Sequence, residues 1–294
     1  MIFLSASSIV QDLLNHFSET AFSTVGIVMT LVLPVAFCCT VLYFLAQLQN
    51  RWLMKTFGWK SMLVTGWLGT PIHELSHALA ALVFCHKLKE VSLFKPNPST
   101  GQLGHVKHVY NPKNPYAAVL GNSVIPMAPF FGGTAAILVL TYFLVPEFTS
   151  RSGYASGPAV SAEVLLSPAN YRPLLNQTWS YVKGLVTIVR GRELWTHWQF
   201  YLYLYTVFCV AMHLAPSKED FKNFWTPVLV LFVLLFLVNF VVRFFGEMGV
   251  KIINYLSSPI LALTGILTFT IVVSLAGAAL VAAVTFLINR LKAN

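Results

Sequence analysis

The sequence predicts an all-α polytopic membrane protein of about six transmembrane helices, with a small β-hairpin between the second and third. Composition is the first support. The chain has 294 residues, of which 56% are hydrophobic and 10% charged, with a mean hydropathy of +0.70. A soluble domain carries about 25% charged residues. The second support is that the apolar residues gather in uncharged runs, and a bilayer core needs about 20 such residues per helix. The third is a single concentration of turn chemistry, Pro96-Asn97-Pro98-Ser99-Thr100-Gly101, between two short apolar stretches.

The elements follow in order. Residues 1–22 read as an amphipathic, interfacial lead-in, because Ile9, Val10, Leu13, Leu14 and Phe17 recur at helical spacing. The first span is Ser23–Leu48, closed by Arg51 and Trp52 as an interfacial anchor. The second is Ser61–Phe84. The hairpin follows, with Val91, Leu93 and Phe94 in one strand and Leu103–Tyr110 in the other. The third span is Tyr116–Val145. Residues 146–197 form a more polar extramembrane insert, with an amphipathic surface helix expected over Tyr171–Val189. Spans four and five are Trp198–Ala215 and Phe224–Val242. Ile252–Asn289 is too long for one straight span, so Pro259 is expected to separate a short interfacial piece from span six, Ile260–Leu287. Three regions result: 1–60, a core over 61–223, and C-terminal helices over 224–294.

Within the second span lies His73-Glu74-Leu75-Ser76-His77. H-E-x-x-H on a helix places both imidazoles on one face, a turn apart, within reach of one zinc ion. Glu74 is rotated about 100° from His73, beside the metal, where a general base belongs. With 8 His and 8 Glu in the chain, chance supplies this pattern in roughly 0.6% of such sequences. An acidic residue inside an apolar span is costly and marks function by default.

Other features narrow the function classes. The net charge of +9 is dispersed over the loops, so anionic lipid headgroups account for it and nucleic acid is not an expected partner. Cys38, Cys39, Cys85 and Cys209 fall in apolar stretches without metal-binding or disulfide spacing. The first apolar stretch lacks a cleavage site and is expected to remain. Lysine and arginine asymmetry does not orient the chain: of the 19 basic residues, about 9 or about 10 face inside in the two topologies. No inverted repeat of the transporter kind is visible.

A catalytic zinc takes three protein ligands. The chain has only two aspartates, Asp12 in the lead-in and Asp220 just beyond span four, after Pro216. His213 and Glu219 lie beside Asp220, while His86, His105 and His108 flank or lie in the hairpin.

His73–His77 in a membrane helix, with a later helix ending in a proline and an aspartate, resembles the site-2 protease class of intramembrane zinc metalloproteases. The family's later motif is Asn-x-x-Pro followed by Leu-Asp-Gly. This chain has His213-x-x-Pro216, then Glu219-Asp220-Phe221, with His for Asn, Phe for Gly and a Pro-to-Asp interval about one residue shorter. The resemblance covers spans two to four and the hairpin. It implies Zn²⁺ held by His73, His77 and Asp220, with His213 the alternative third ligand.

The expected activity is hydrolysis of peptide bonds in membrane-spanning proteins or remnant signal peptides, with Glu74 as general base. His213 is the expected oxyanion donor, and Asn122 is either a substrate hydrogen-bond donor or a helix–helix contact. The hairpin edge, through Val106 and His108, is expected to hold an unwound substrate by β-augmentation. Family analogy places the hairpin and both motif ends in the cytosol, in a multi-pass protein of the bacterial plasma membrane. Two other classes share the metal site: a zinc hydrolase acting on a lipid or small amide, and a catalytically weak relative that binds membrane proteins.

Overall fold

In the computed structural model, residues 6–146, 190–214 and 225–293 are described, with a few positions between 176 and 187. Helix α1 (Ala6–Ile27) runs through a π-helical stretch, Val28–Val32, into α2 (Leu33–Phe57). A turn at Gly58 leads into α3 (Ser61–Val83). Strands β1 (Lys87–Ser92) and β2 (His105–Val109) follow, then an irregular helical lead over residues 116–127 and α4 (Ala128–Leu144). After a one-turn helix at Arg192–Trp195 come α5 (Trp198–Leu214), α6 (Trp225–Val242) and α7 (Gly246–Ala293).

Among the described residues, three stretches are long and apolar enough to cross a membrane: Leu33–Phe57, Tyr116–Leu144 and Leu263–Leu291. Their outward faces are apolar as well. Phe37, Phe44, Phe143 and Leu280 are each more than half exposed, which suits a lipid solvent and not water.

The core is built around α5, which packs against α2, α3, α4 and α7. Phe200, Tyr203, Val207, Val210 and Leu214 of α5 are buried with Leu42 of α2, Ile137 of α4, and Ile266 and Phe269 of α7. Polar residues join helices at a few points. Tyr203 Oη donates to Thr141 Oγ1 at 2.9 Å, because the threonine hydroxyl donates to Ile137 O. Gln49 Nε2 donates to Ser274 O at 2.6 Å.

Several expectations change. The N-terminal segment does not lie apart from the bundle: α1 packs on α6, where Asn239 Nδ2 donates to Ser23 Oγ (2.7 Å) and Thr24 Oγ1 (3.0 Å). Those small hydroxyl residues form a buried polar face that hydrophobic spacing alone does not reveal. Helix α7 is continuous through Pro259. A proline inside a long apolar helix need not end it, since neighbouring groups re-satisfy the freed carbonyl. The surface helix expected over Tyr171–Val189 falls largely outside the described residues.

The hairpin is present, but β1 begins earlier than expected and stops before Leu93 and Phe94. Lys87 pairs with Val109, Leu88 with His108, Val91 with Val106 and Ser92 with His105, with a bulge between Leu88 and Glu90. Pairing resumes toward the tip, where Lys95 N donates to Leu103 O at 2.7 Å and Asn97 N to Gln102 O at 2.8 Å. The turn uses the anticipated chemistry: Asn97 Oδ1 accepts from Ser99 N, and Gly101 adopts φ +76°. Leu93 and Phe94 lie between the two paired stretches of the hairpin. Phe94 and Leu103 meet the surface of α3 at Gly66. The hairpin therefore folds back along α3, from its C-terminal end toward its N-terminal half.

Packing should outweigh polar contacts in this bundle. Leu42→Ala removes a fully buried side chain and should cost about 2–5 kcal/mol. Tyr203→Phe should cost only about 0.6–1 kcal/mol, as interhelical hydrogen bonds do in membranes. Denaturant unfolding of the two purified variants in detergent checks the ranking.

Candidate metal centre and active site

The three motif residues sit together on α3, in its C-terminal half. The His73 and His77 rings lie 4.8 Å apart at 74°. His73 Nδ1 is 2.6 Å from His213 O, and His77 Nδ1 is 2.9 Å from Ile125 O. A carbonyl oxygen only accepts, so both Nδ1 atoms must donate. In the neutral rings, both Nε2 atoms then carry lone pairs, and these atoms lie 3.1 Å apart.

Two lone pairs at that separation repel unless a cation or a shared proton stands with them. With metal–nitrogen bonds of about 2.0–2.1 Å, two ligands of a tetrahedral zinc are about 3.3 Å apart, so the pair fits such an ion. Backbone carbonyls on the far ring nitrogens are the usual partners of metal-ligating histidines. Among the described residues no third His, Cys, Asp or Glu completes a metal-binding group. Asp220, the preferred third ligand, and Glu219 lie outside the described residues.

Two glycines allow the other elements to approach α3. At Gly69 a β-carbon would run into Cys209 O and the His213 ring, so only glycine lets α5 come close enough for His213 O to reach His73. At Gly104 a β-carbon would lie 2.9 Å from Glu74 Cγ and 2.8 Å from the carbonyl oxygens of Ser92 and Leu93. The hairpin thus crosses directly over Glu74 at the point where its ladder is interrupted. Glu74 is 8% exposed.

His213 contributes differently from the expectation. Its ring stands between two hydroxyls of α3, Thr65 Oγ1 at 3.3 Å from Nε2 and Thr70 Oγ1 at 3.5 Å from Nδ1. Its main-chain carbonyl, not its ring, meets the histidine pair. To donate to a reacting carbonyl the ring would have to leave both threonines. Asn122 donates to Ala118 O one turn back at 2.9 Å, a bond inside its own helical segment.

On β2, Val106 is half-buried opposite Val91. His108 belongs to a second histidine pair. His86 Nε2 donates to Ala117 O at 3.0 Å, leaving its Nδ1 to accept from His108 Nδ1 at 2.8 Å. Tyr110 stacks on His86 at 4.9 Å. Burial, then the nearby His86 and His77, hold the His108 imidazole below its ordinary pKa. This cluster ties the base of the hairpin to α3 and the lead into α4. His105 Nε2 lies 3.0 Å from Glu90 Oε1, and Lys107 Nζ lies 2.7 Å from Glu90 Oε2. The hydrogen bond from Lys107, then that from His105, lowers the Glu90 pKa.

The sequence reading missed Thr65, Thr70, Gly69 and Gly104, and the roles of the His213 and Ile125 carbonyls. One signal was available: Thr65, Gly66, Gly69, Thr70 and Ser76 place small residues around the motif within one helix, the composition that lets helices pack closely.

Comparison of the chain with protein-family models, with curated proteins and with solved structures found no match.

The tautomers can be measured. Nitrogen-15 NMR of the imidazoles should report Nδ1–H on both His73 and His77, before and after chelator treatment. An Nε2–H tautomer at either ring would contradict the arrangement.

Proposed function

We propose that this chain is an intramembrane zinc endopeptidase that cleaves membrane-spanning substrates. One observation carries the reading: two imidazoles of an H-E-x-x-H helix have their far nitrogens committed to backbone carbonyls and their near nitrogens 3.1 Å apart. His73 and His77 would hold the ion, with Asp220 as third ligand on the resemblance to site-2 proteases. Zinc bound there would supply Lewis-acid polarisation and a lowered water pKa.

The chain's own residues account for the rest. Glu74 takes a proton from the attacking water as its oxygen bonds to the peptide carbonyl carbon. The C–N bond then breaks, and Glu74 passes that proton to the leaving nitrogen. Burial beneath Gly104 keeps Glu74 close to the hairpin, whose strand edges are suited to hold an extended substrate segment. The His213 carbonyl positions His73.

The hairpin also bears on water supply. It returns along α3 carrying exposed Lys87, Lys89, Glu90 and Lys107. Irregular backbone with charges at membrane depth is tolerated where it lines a water-filled recess, and hydrolysis needs one. The full reading has about six spans, with α3, α5 and α6 added to the three apolar stretches, and the hairpin facing the cytosol.

The purified protein should bind stoichiometric zinc, and His73→Ala and Asp220→Ala should each lose it. Glu74→Gln should keep the metal while cleaving a membrane-spanning substrate about 10²–10⁴-fold more slowly. Absence of zinc, or undiminished cleavage by Glu74→Gln, overturns the proposal. Val106→Pro should impair cleavage of a helical substrate; undiminished turnover of a lipid or small amide would instead favour a small-molecule hydrolase.

Cysteine labelling tests the orientation. A Ser99→Cys variant should resist a membrane-impermeant thiol reagent added to intact cells, and labelling from outside would refute a cytosolic hairpin.

A further inference from the structure

On the side of α3 that faces α2 and α7 lies a cavity of about 710 Å³, walled by α2, α3, α5 and α7. Its lining is apolar apart from Lys60, Ser61, Thr65 and Tyr205. Three of these four are already engaged. Ser61 Oγ donates to Gly58 O, Tyr205 Oη donates to Val64 O, and Thr65 Oγ1 contacts His213 Nε2. The exposed Lys60 has no ion-pair partner among the described residues, where the pairs join Glu90 with His105 and Lys107, and Glu19 with Arg243.

The chemistry of this lining selects its occupant. An apolar chamber with one cation that is unpaired among the described residues fits an amphiphile with an apolar tail and an anionic head. Its volume is within the about 300–1,000 Å³ of small-ligand sites. A transmembrane helix, about 10–12 Å across with its side chains, would need far more room. Lys60 stands in the turn between two apolar helices, beside Trp52, Lys55 and Trp59, the residue types that gather at headgroup level.

We propose that this cavity is a binding site for one acyl chain of an anionic phospholipid, whose headgroup is held by Lys60. The tail would pack against the wall that carries Thr65, and so against the residue that contacts His213. This site stands on its own observations, whether or not the histidine pair is catalytic.

A photoreactive amino acid placed at Val281, which lines the cavity and is half-buried, tests the assignment. The full chain is reconstituted in phosphatidylcholine vesicles containing a minority of phosphatidylglycerol, irradiated, and the adduct weighed by mass spectrometry. Phosphatidylglycerol should be enriched in the adduct about fivefold over its bulk share, the selectivity one interfacial lysine supplies. Lys60→Gln should return the adduct to the bulk ratio, and Lys60→Arg should preserve the enrichment. An adduct at bulk ratio in the parent protein overturns the proposal, as does enrichment unmoved by Lys60→Gln. So does an adduct to a polypeptide, a second copy included, in place of lipid.

Discussion

The commitment of two imidazole nitrogens to backbone carbonyls governs the centre of this molecule. His73 and His77 belong to one helix, but their partners, His213 O and Ile125 O, belong to the end of α5 and to the irregular lead before α4. Neither carbonyl is available if its segment is a fully bonded helix interior. His213 stands at the C-terminal turn of α5, where carbonyls lack intrahelical partners. Ile125 opens a short 3₁₀ turn that follows Asn122–Val124, and Ala128 N donates back to it. The irregularity of residues 116–127 thus has a use: it presents a carbonyl sideways to a ring. Helix α3 needs both neighbours close, and Gly69 makes one of those approaches possible.

Much of this was legible in the chain. Uncharged runs located α3, α5, α6 and the apolar part of α7 within a few residues, because continuous apolarity leaves a strong signal, whereas the first span, expected over Ser23–Leu48, is helical over Leu33–Phe57 as the continuation of α1. The H-E-x-x-H motif was legible for the opposite reason: His73, Glu74 and His77 interrupt that apolarity. What was not legible depends on contacts distant in sequence. The face of α1 that meets Asn239 consists of Thr20, Ser23 and Thr24, whose hydroxyls read equally well as solvent-facing. The bounds of β1 were misplaced because Val91, Leu93 and Phe94 look like strand residues, whereas the ladder runs over Lys87–Ser92 and Phe94 turns to α3 at Gly66. The ring of His213 was expected to face the reaction. Its nearest hydroxyl partners lie on α3, a pairing that no local pattern encodes.

Helix α3 has two unlike neighbourhoods. Along one side runs the hairpin, with lysines exposed on both strands and Gly104 pressed against Glu74. Along another lies the apolar cavity bounded by Val64 and Thr65. The N-terminal half of the helix, from Ser61 to Thr70, contributes to both, through Gly66 toward the hairpin and Thr65 toward the cavity.

That division bears on how a hydrolytic site can exist among apolar helices. On the proposed reading, water must reach Glu74 without wetting the bundle. A re-entrant hairpin meets the requirement because its polar backbone edge and charged side chains stabilise a recess on one side only. The opposite side must then be sealed. Thr65 and Thr70 enclose the His213 ring there, and a lipid tail in the adjoining cavity would exclude water from behind those threonines. Polarity falls across the width of one helix, from a charged strand edge through Glu74 and the histidines to hydrocarbon. A carboxylate placed midway along that gradient is held near water without being surrounded by it.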